Sequence, residues 1–270
     1  MVKTSDHVDL LNKLTDGIAN LASSSAWQDY LRTQSRFHDY SFNNTMLIAQ
    51  QYPTATKVAG FRTWLKLGRH VMRGEKAIWI VAPVIYRDST EDNDRESTSL
   101  HGFRYVPVFD ISQTEGDDLP EACAKLSGQE PAGCYQALAN VAGSHGFRVE
   151  DLSLPNGING LCSHKKWTIQ IEATNSGTQR VKTLAHELTH ALLHENEDDR
   201  QLAELEAESS AYLICQALGI DSGEYSFGYV TLWAGGSTEA TTKIRMSAER
   251  IQKTAAMILS ELDVLWVRAS

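Results

Sequence analysis

The feature that most constrains this chain is the pattern His186-Glu187-x-x-His190, inside a helical periodicity over residues 179–195 without glycine or proline. At about 3.6 residues per turn, side chains four positions apart share one face, so both histidines can direct imidazole nitrogens at one point. Glu187 lies about 100° around the same helix, within reach of a water molecule held there. Two nitrogen ligands, an open coordination position and an adjacent carboxylate suit a zinc hydrolase, so the pattern predicts bound Zn²⁺ and a catalytic Glu187.

A third protein ligand is expected, because hydrolytic zinc sites usually take three and leave one position to water. His194 continues the stripe of histidines. It lies about 6 Å along the helix axis from His190, and three histidines of one straight helix cannot converge on one ion. We therefore expect His194 to be a polar residue near the helix end, where an imidazole is favourable.

Carboxylates of the next segment offer the missing ligand. Residues 201–218 predict a second helix, which ends at Gly219 and contains Glu204, Glu206 and Glu208. Glu208 has small and apolar neighbours three and four positions away, and a carboxylate on such a packing face must be paired or bound to a metal. We predict Glu208 as the third ligand, with Glu204 as the alternative, and we expect Glu206 to be solvated. The opposing interpretation is that all three are solvated surface charges.

Composition places the chain among globular proteins, and its length allows one large domain or two of ordinary size. It has 270 residues, of which 42% are hydrophobic and 22% are charged. No apolar run approaches the roughly 20 residues of a membrane span, and the first residues lack the apolar core of a secretion signal. The four cysteines contain no Cys-x-x-Cys pair, which argues against disulfides and a cysteine zinc site. We expect a protein of the reducing cytoplasm with no membrane partner.

Charge is distributed unevenly along the chain. Residues 1–110 have a net charge of +1 and residues 111–270 a net charge of −10, while the segment 55–87 alone has +6. Aromatic residues lie between the cations of that segment. Cations follow phosphates and aromatic rings stack on unpaired bases, so the mixture suits single-stranded nucleic acid; the alternative is a solvated charged face over an aromatic core. The predicted DNA-binding residues are Lys57, Arg62, Trp64, Lys66, Arg69, Arg73 and Lys76.

The periodicity predicts an α+β fold in two domains, residues 1–112 and 113–270, with a polar linker at 112–118. Short helices, including one that spans 6–35 with a break at 23–25, precede paired strands in the first domain. The second domain is predicted to contain a helix near 134–144, strands near 147–152 and 161–173, the two helices described above, and a terminal helix at 240–267.

Several stretches carry a family resemblance. Those of the first part closely resemble the N-terminal domain of ArdC-type antirestriction proteins: residues 55–64 (ATKVAGFRTW), 67–69 (LGR), 74–78 (GEKAI) and 109–116 (FDISQTEG). Residues 182–190 (KTLAHELTH) and 207–215 (AESSAYLIC) look like the zincin-like metallopeptidase domain of those proteins, which is similar to ImmA/IrrE-type peptidases. The resemblance implies a first domain that binds single-stranded DNA and a second domain whose glutamate ligand falls on Glu208 by motif position.

These observations predict a zinc-dependent metalloprotease coupled to single-stranded DNA binding, with DNA and an unidentified protein substrate as partners. His186, His190 and Glu208 are expected to hold Zn²⁺, with Glu187 as general base. The alternative is a non-proteolytic DNA-binding antirestriction protein with a structural zincin domain; a structural zinc site needs no general base, so the presence of Glu187 argues against it. A regulatory protease that does not touch DNA is a third interpretation, which the basic segment disfavours.

Overall fold

The chain divides into two units in the computed structural model, which describes residues 18, 21, 24–37, 39–88, 97–117, 131–155, 157–220 and 238–269. Residues 43–88 and 97–117 belong to the first unit and the other described residues to the second. Both units combine helices with strands, so the predicted α+β fold is confirmed. The helices are α1 (Ser24–Arg36), α2 (Phe42–Gln51), α3 (Phe61–Lys66), α4 (Pro131–Ser144), α5 (Gly177–Leu193), α6 (Arg200–Ala217) and α7 (Thr238–Ala269). The strands are β1 (Val58–Gly60), β2 (Arg69–Val71), β3 (Ile78–Asp88), β4 (Ser97–Asp110), β5 (Thr114–Gly116), β6 (Arg148–Leu152), β7 (Gly160–Ser163) and β8 (Thr168–Glu172).

Two antiparallel sheets form the first unit. One has the strand order β1-β4-β3, and the other pairs β2 with β5. The backbones of β2 and β5 meet so closely that a Cβ on Gly116, whose φ is +132°, would lie 2.3 Å from the Gly68 carbonyl oxygen. Only glycine fits this position, because a side chain would both clash and strain the backbone.

Helix α2 covers the free edge of β3 with side-chain amides. The amide of Asn44 exchanges two hydrogen bonds of 2.9 Å with the main chain of Val81. The amide of Gln51 does the same with the main chain of Trp79, at 2.9 and 3.0 Å. These amides replace the partners that a neighbouring strand would supply, and they close an edge that would otherwise be open to intermolecular pairing.

Asp110 fastens the end of β4 to the segment before β1. Its carboxylate accepts main-chain hydrogen bonds from Thr56 at 2.7 Å and from Lys57 at 3.0 Å, and Ser112 donates two more, one from its main-chain N–H and one from its hydroxyl. Burial alone would raise the pKa of Asp110, but the hydrogen bonds from these residues outweigh it and lower the pKa. The charged carboxylate is therefore the form that the fold requires.

The second unit is built on a sheet of order β6-β8-β7, in which β6 runs parallel and β7 antiparallel to β8. Helix α5 contacts this sheet and also α4 and α6. The terminal helix α7 buries one apolar stripe at alternating spacings of three and four residues, which is the pattern of a helix with a single packed face. The stripe consists of Ile244, Ala248, Ile251, Ala255, Ile258 and Leu262.

Helix α1 belongs to the second unit although it precedes the first unit in sequence. Trp27 and Leu31 are fully buried, and the Trp27 indole donates a 3.0 Å hydrogen bond to Ser209 Oγ on α6. A single cut in the chain therefore does not separate the two units, and the predicted boundary at residues 112 and 113 stays a proposal. Much of the predicted helix at 6–35 lies outside the described residues. Among the described helices, none combines the length and the apolar character needed to cross a bilayer.

Candidate metal centre

Helix α5 brings the two histidines of the His-Glu-x-x-His pattern together. Ser176 begins the helix by accepting a hydrogen bond from the main-chain N–H of Gln179, at 3.3 Å. The Nε2 atoms of His186 and His190 lie 3.1 Å apart, and the two rings are half-buried. The spacing of four residues therefore produces the convergence of imidazole nitrogens that the sequence predicted.

Glu204 on α6 completes a group that could hold a metal ion. Its Oε2 lies 3.4 Å from His186 Nε2 and 3.9 Å from His190 Nε2, and each of the three residues offers a donor atom within 4.8 Å of the others. In a tetrahedral zinc site with bonds of about 2.0–2.1 Å, neighbouring donor atoms lie roughly 3.3 Å apart. The residues present therefore fit a small divalent cation both in donor chemistry and in spacing.

Glu208, the predicted third ligand, lies on the outer side of His186. Its Oε2 is 3.2 Å from His186 Nδ1, and its Oε1 is 3.1 Å from the Lys182 ammonium. Glu204 and Glu208 share one face of α6, but Glu208 lies one turn further along and reaches the ring nitrogen that points away from His190. The described geometry thus brings Glu204, the alternative in the sequence prediction, to the converging nitrogens, and pairs Glu208 with the opposite ring nitrogen.

Glu206 is a correction to the sequence prediction, which expected a solvated side chain. It is completely buried, and its Oε2 lies 3.1 Å from both His194 Nε2 and Arg250 Nε. Its helix neighbours Ser209 and Ser210 are themselves buried. They are small residues at a packed face, and Ser209 receives the indole hydrogen bond of α1.

Glu187 is held against the edge strand β7. A Cβ on Gly160 would lie 2.8 Å from Glu187 Cγ and 2.5 Å from Thr183 Cγ2, so only glycine allows this approach. The main-chain N–H of Cys162 donates a hydrogen bond to the Glu187 carboxylate. Sequence reasoning gave Gly160 and Cys162 no role, since their contact with α5 depends on tertiary packing.

The groups of the cluster shift one another's pKa values. Burial raises the pKa of Glu187 to about 7, against the opposing charge of His186. Burial alone would lower the pKa of His186, but its hydrogen bonds to Glu204 and Glu208 and the charge of Glu187 raise it to about 9. Burial and the neighbouring histidines lower the pKa of His190.

A cleft of about 700 Å³ opens at this cluster. Its walls come from the segment at 157–164, from α5 and from α6, and they include Gly160, Cys162 and His164 opposite Glu204 and Glu208. Because β7 pairs only with β8, its other edge is free of strand partners among the described residues. The two histidines, Glu187 and Glu204 therefore face a space that can admit a ligand.

Comparison with known proteins assigns both parts of the chain. Residues 9–112 match the family model described as the N-terminal domain of anti-restriction factor ArdC, and residues 142–218 match the IrrE N-terminal-like domain of a peptidase family. The chain thus contains an ArdC N-terminal domain followed by an IrrE-like domain. The metal cluster lies within the IrrE-like match, and the basic segment lies within the ArdC match.

Solved structures show that the ArdC-type fold extends over most of the chain. The metal-free crystal structure of antirestriction ArdC protein from plasmid R388 is 23% identical, with a TM-score of 0.52. The Mn(II)-bound structure of that protein is 22% identical, with a TM-score of 0.51. Each match covers 82% of this chain and 84% of the other. An uncharacterized protein of Bacillus anthracis is 24% identical over 85% of this chain, which spans only 46% of that relative.

The ArdC N-terminal domain exposes most of the predicted DNA-binding cations. Lys57, Arg62, Lys66, Arg73 and Lys76 are exposed, and none of them forms an ion pair within the described part of the chain. The adjacent Phe61 is 49% exposed. We use the name basic surface for the exposed side chains of these five cations and Phe61.

Two predicted DNA-binding residues serve the fold instead, which corrects the predicted set. Trp64 is 2% exposed, and its indole donates a hydrogen bond to the Phe109 carbonyl oxygen at 2.9 Å. The Arg69 guanidinium is buried at the β2–β5 pair, where it donates hydrogen bonds to Thr114 and Gly116. The sequence prediction included both residues because one is charged and the other is aromatic. Amino-acid composition does not reveal that their side chains are buried.

Proposed function

We propose that the protein is a zinc-dependent peptide hydrolase whose ArdC domain binds single-stranded DNA. The observation that carries the proposal is the convergence of His186, His190 and Glu204 beside the buried Glu187. A Mn(II)-bound structure exists for the similar ArdC protein of plasmid R388, which supports a divalent ion in this chain as well. We favour Zn²⁺ because two imidazoles and a carboxylate at tetrahedral spacing form a typical catalytic zinc set.

The chain's own residues supply the rest of the chemistry. When bound, the cation supplies Lewis acidity that makes water a stronger nucleophile and polarises a peptide carbonyl. Glu187 accepts the proton of the attacking water and passes it to the leaving amine. Burial raises the pKa of Glu187, which strengthens its carboxylate as a base. The Cys162 N–H and the bare backbone of Gly160 fix the carboxylate so that it faces the cleft.

Metal removal tests this proposal directly. We expect the purified protein to contain about one zinc ion per chain, and to cleave an unfolded test protein such as reduced casein only while the ion is present. Dialysis against a chelator should abolish cleavage, and added Zn²⁺ should restore it. The His186→Ala variant should neither retain zinc nor regain activity, as elemental analysis and mass spectrometry of the products would show. A zinc-loaded parent protein that cleaves nothing, with or without single-stranded DNA, would contradict the proposed activity.

The basic surface supports the proposal of single-stranded DNA binding. Five exposed cations can follow a phosphate backbone, and the exposed ring of Phe61 can stack on an unpaired base. The short helix α3 begins with Phe61 and Arg62 and ends with Lys66, so this ring and two of the five cations belong to one helix. Double-stranded DNA offers no unpaired base for that ring, so the surface favours single strands.

Replacing Phe61 by alanine is expected to weaken binding of a short oligothymidine about tenfold, since stacking contributes about 1–3 kcal/mol per base. The salt dependence of the binding constant should stay the same, because no cation is lost. Fluorescence anisotropy over a salt series would measure both quantities. Phe103→Ala is the matched control, since Phe103 is 67% exposed but lies on β4 outside the basic segment. Equal affinities for the parent and the Phe61 variant would remove Phe61 from the interface.

A further inference from the structure

A chain of contacts leads from the metal cluster to the terminal helix. His190 Nδ1 lies 2.9 Å from His194 Nδ1, and His194 Nε2 lies 3.1 Å from Glu206 Oε2. The same carboxylate oxygen lies 3.1 Å from Arg250 Nε on α7. We propose that His194, Glu206 and Arg250 form a relay that fixes the tautomer and orientation of His190 for metal binding. The inference rests on the proposed metal site, and it makes these three residues positioning residues of that site.

Hydrogen-bond chemistry gives the relay one direction. Glu206 lies against His194 Nε2, so the tautomer of His194 that suits this contact has its proton on Nε2 and donates it to the carboxylate. His194 Nδ1 is then an acceptor, and His190 Nδ1 must carry the proton that lies between the two rings. That tautomer leaves the lone pair of His190 Nε2 free, on the side that faces His186 Nε2 and Glu204. The relay thus selects the only neutral form of His190 that can bind a cation at the cluster.

Two members of the relay, His194 and Glu206, are almost completely enclosed. The His194 side chain is 4% exposed and Glu206 is 0% exposed. A carboxylate in such a place needs partners, and Arg250 and His194 supply them at one oxygen. The other oxygen, Oε1, has no hydrogen-bond partner among the described residues. Among the described residues, the hydrogen-bond partners of the Glu206 carboxylate therefore lie at one oxygen, and both of them belong to the relay.

The second histidine of the cluster is held in the same way. His186 Nδ1 faces Glu208, which is paired with the Lys182 ammonium. Each histidine thus presents Nε2 to the cluster. Nδ1 of His186 contacts a carboxylate that is paired with a cation, and Nδ1 of His190 is connected to such a carboxylate through His194. Carboxylates that orient metal-binding histidines from behind are common in zinc sites, and their loss typically costs 10- to 100-fold in metal affinity or activity.

Arg250 also has a structural role, which the test must separate from the relay. Its guanidinium contacts Glu197 at 3.2 Å and the Leu193 carbonyl oxygen at 3.4 Å, so it also holds the end of α5. Glu206→Gln and His194→Phe leave those contacts in place and are the better variants. Arg245→Gln is the matched control, because Arg245 lies on the same helix and pairs with Glu249 near the surface.

The experiment measures Zn²⁺ and Co²⁺ affinity by chelator competition, together with the visible absorption of the Co²⁺-loaded protein. We expect Glu206→Gln and His194→Phe to bind both ions about 10- to 100-fold more weakly and to change the Co²⁺ spectrum. Glu206→Gln should lower the metal-free unfolding temperature, because it leaves Arg250 without its buried carboxylate partner, whereas Arg245→Gln should match the parent throughout. Folded variants with unchanged affinity and an unchanged spectrum would overturn the relay.

A measurement on the parent protein keeps the inference testable if the variants fail to fold. Correlation of ring ¹H and ¹⁵N resonances in the zinc-loaded protein should show His194 protonated only at Nε2 and His190 only at Nδ1. A proton on His194 Nδ1 would overturn the relay. A parent protein that binds neither zinc nor cobalt would instead overturn the proposed metal site, and the relay with it.

Discussion

Replacing Glu187 by glutamine is expected to reduce peptide cleavage by about 10²–10⁴-fold and to leave metal binding intact. Glutamine has the same shape, so the close contact with Gly160 remains, but its amide cannot accept a proton from water. Glu187 is outside the group of converging donor atoms, which is why the ion should stay. Cleavage rates on the casein-derived peptides, with zinc content measured in parallel, would show both effects.

Glu195→Gln provides the control for this substitution, because Glu195 is exposed just beyond the end of α5. A Glu187→Gln variant that cleaves as fast as the parent would contradict the assigned base. The same variant separates the two main functional hypotheses in cells that restrict incoming DNA. If protection from restriction is lost, proteolysis is required for it; if protection is complete, the protein acts by binding and the IrrE-like domain has another purpose.

The metal helix could be predicted because its information is local. Four-residue spacing on an α-helix is a property of the backbone, so His186 and His190 had to lie on one face wherever the helix packed. The position of Glu187 beside the cleft followed in the same way. The two-part α+β organisation was likewise visible in the change of periodicity and in the charge difference between the halves.

The partners of that helix could not be predicted, because they depend on how α6 and α7 approach α5. Glu206 was expected to be solvated, yet it is fully buried. The cation that pairs with Glu206 lies 44 positions further along, on α7. Helix geometry argued against His194 as a ligand. Its contact with Nδ1 of His190 could not be predicted from the sequence, because it depends on the side-chain positions in the folded protein.

The second large expected effect is on zinc affinity, and it distinguishes Glu204 from Glu208 as the third metal ligand. Glu204→Ala should lower zinc affinity by more than the 10- to 100-fold typical of residues that only orient a ligand, because it removes one of three donor groups. Glu208→Gln should stay within that range, since an amide oxygen at this position can still accept the His186 Nδ1 proton. Chelator competition with each variant would give the two affinities, and the Co²⁺ spectrum would report a change in ligand set.

Lys182→Met is the control that makes the comparison decisive. Lys182 contacts Glu208 and is not one of the converging donors, so its loss should resemble the effect of Glu208→Gln and not that of Glu204→Ala. The reverse order, with Glu208 the more damaging substitution, would return the third-ligand role to the residue that helix-face reasoning and motif position indicated. Helix α6 would then bind the ion one turn further along, and Glu204 would be the carboxylate that borders the cleft without holding the ion.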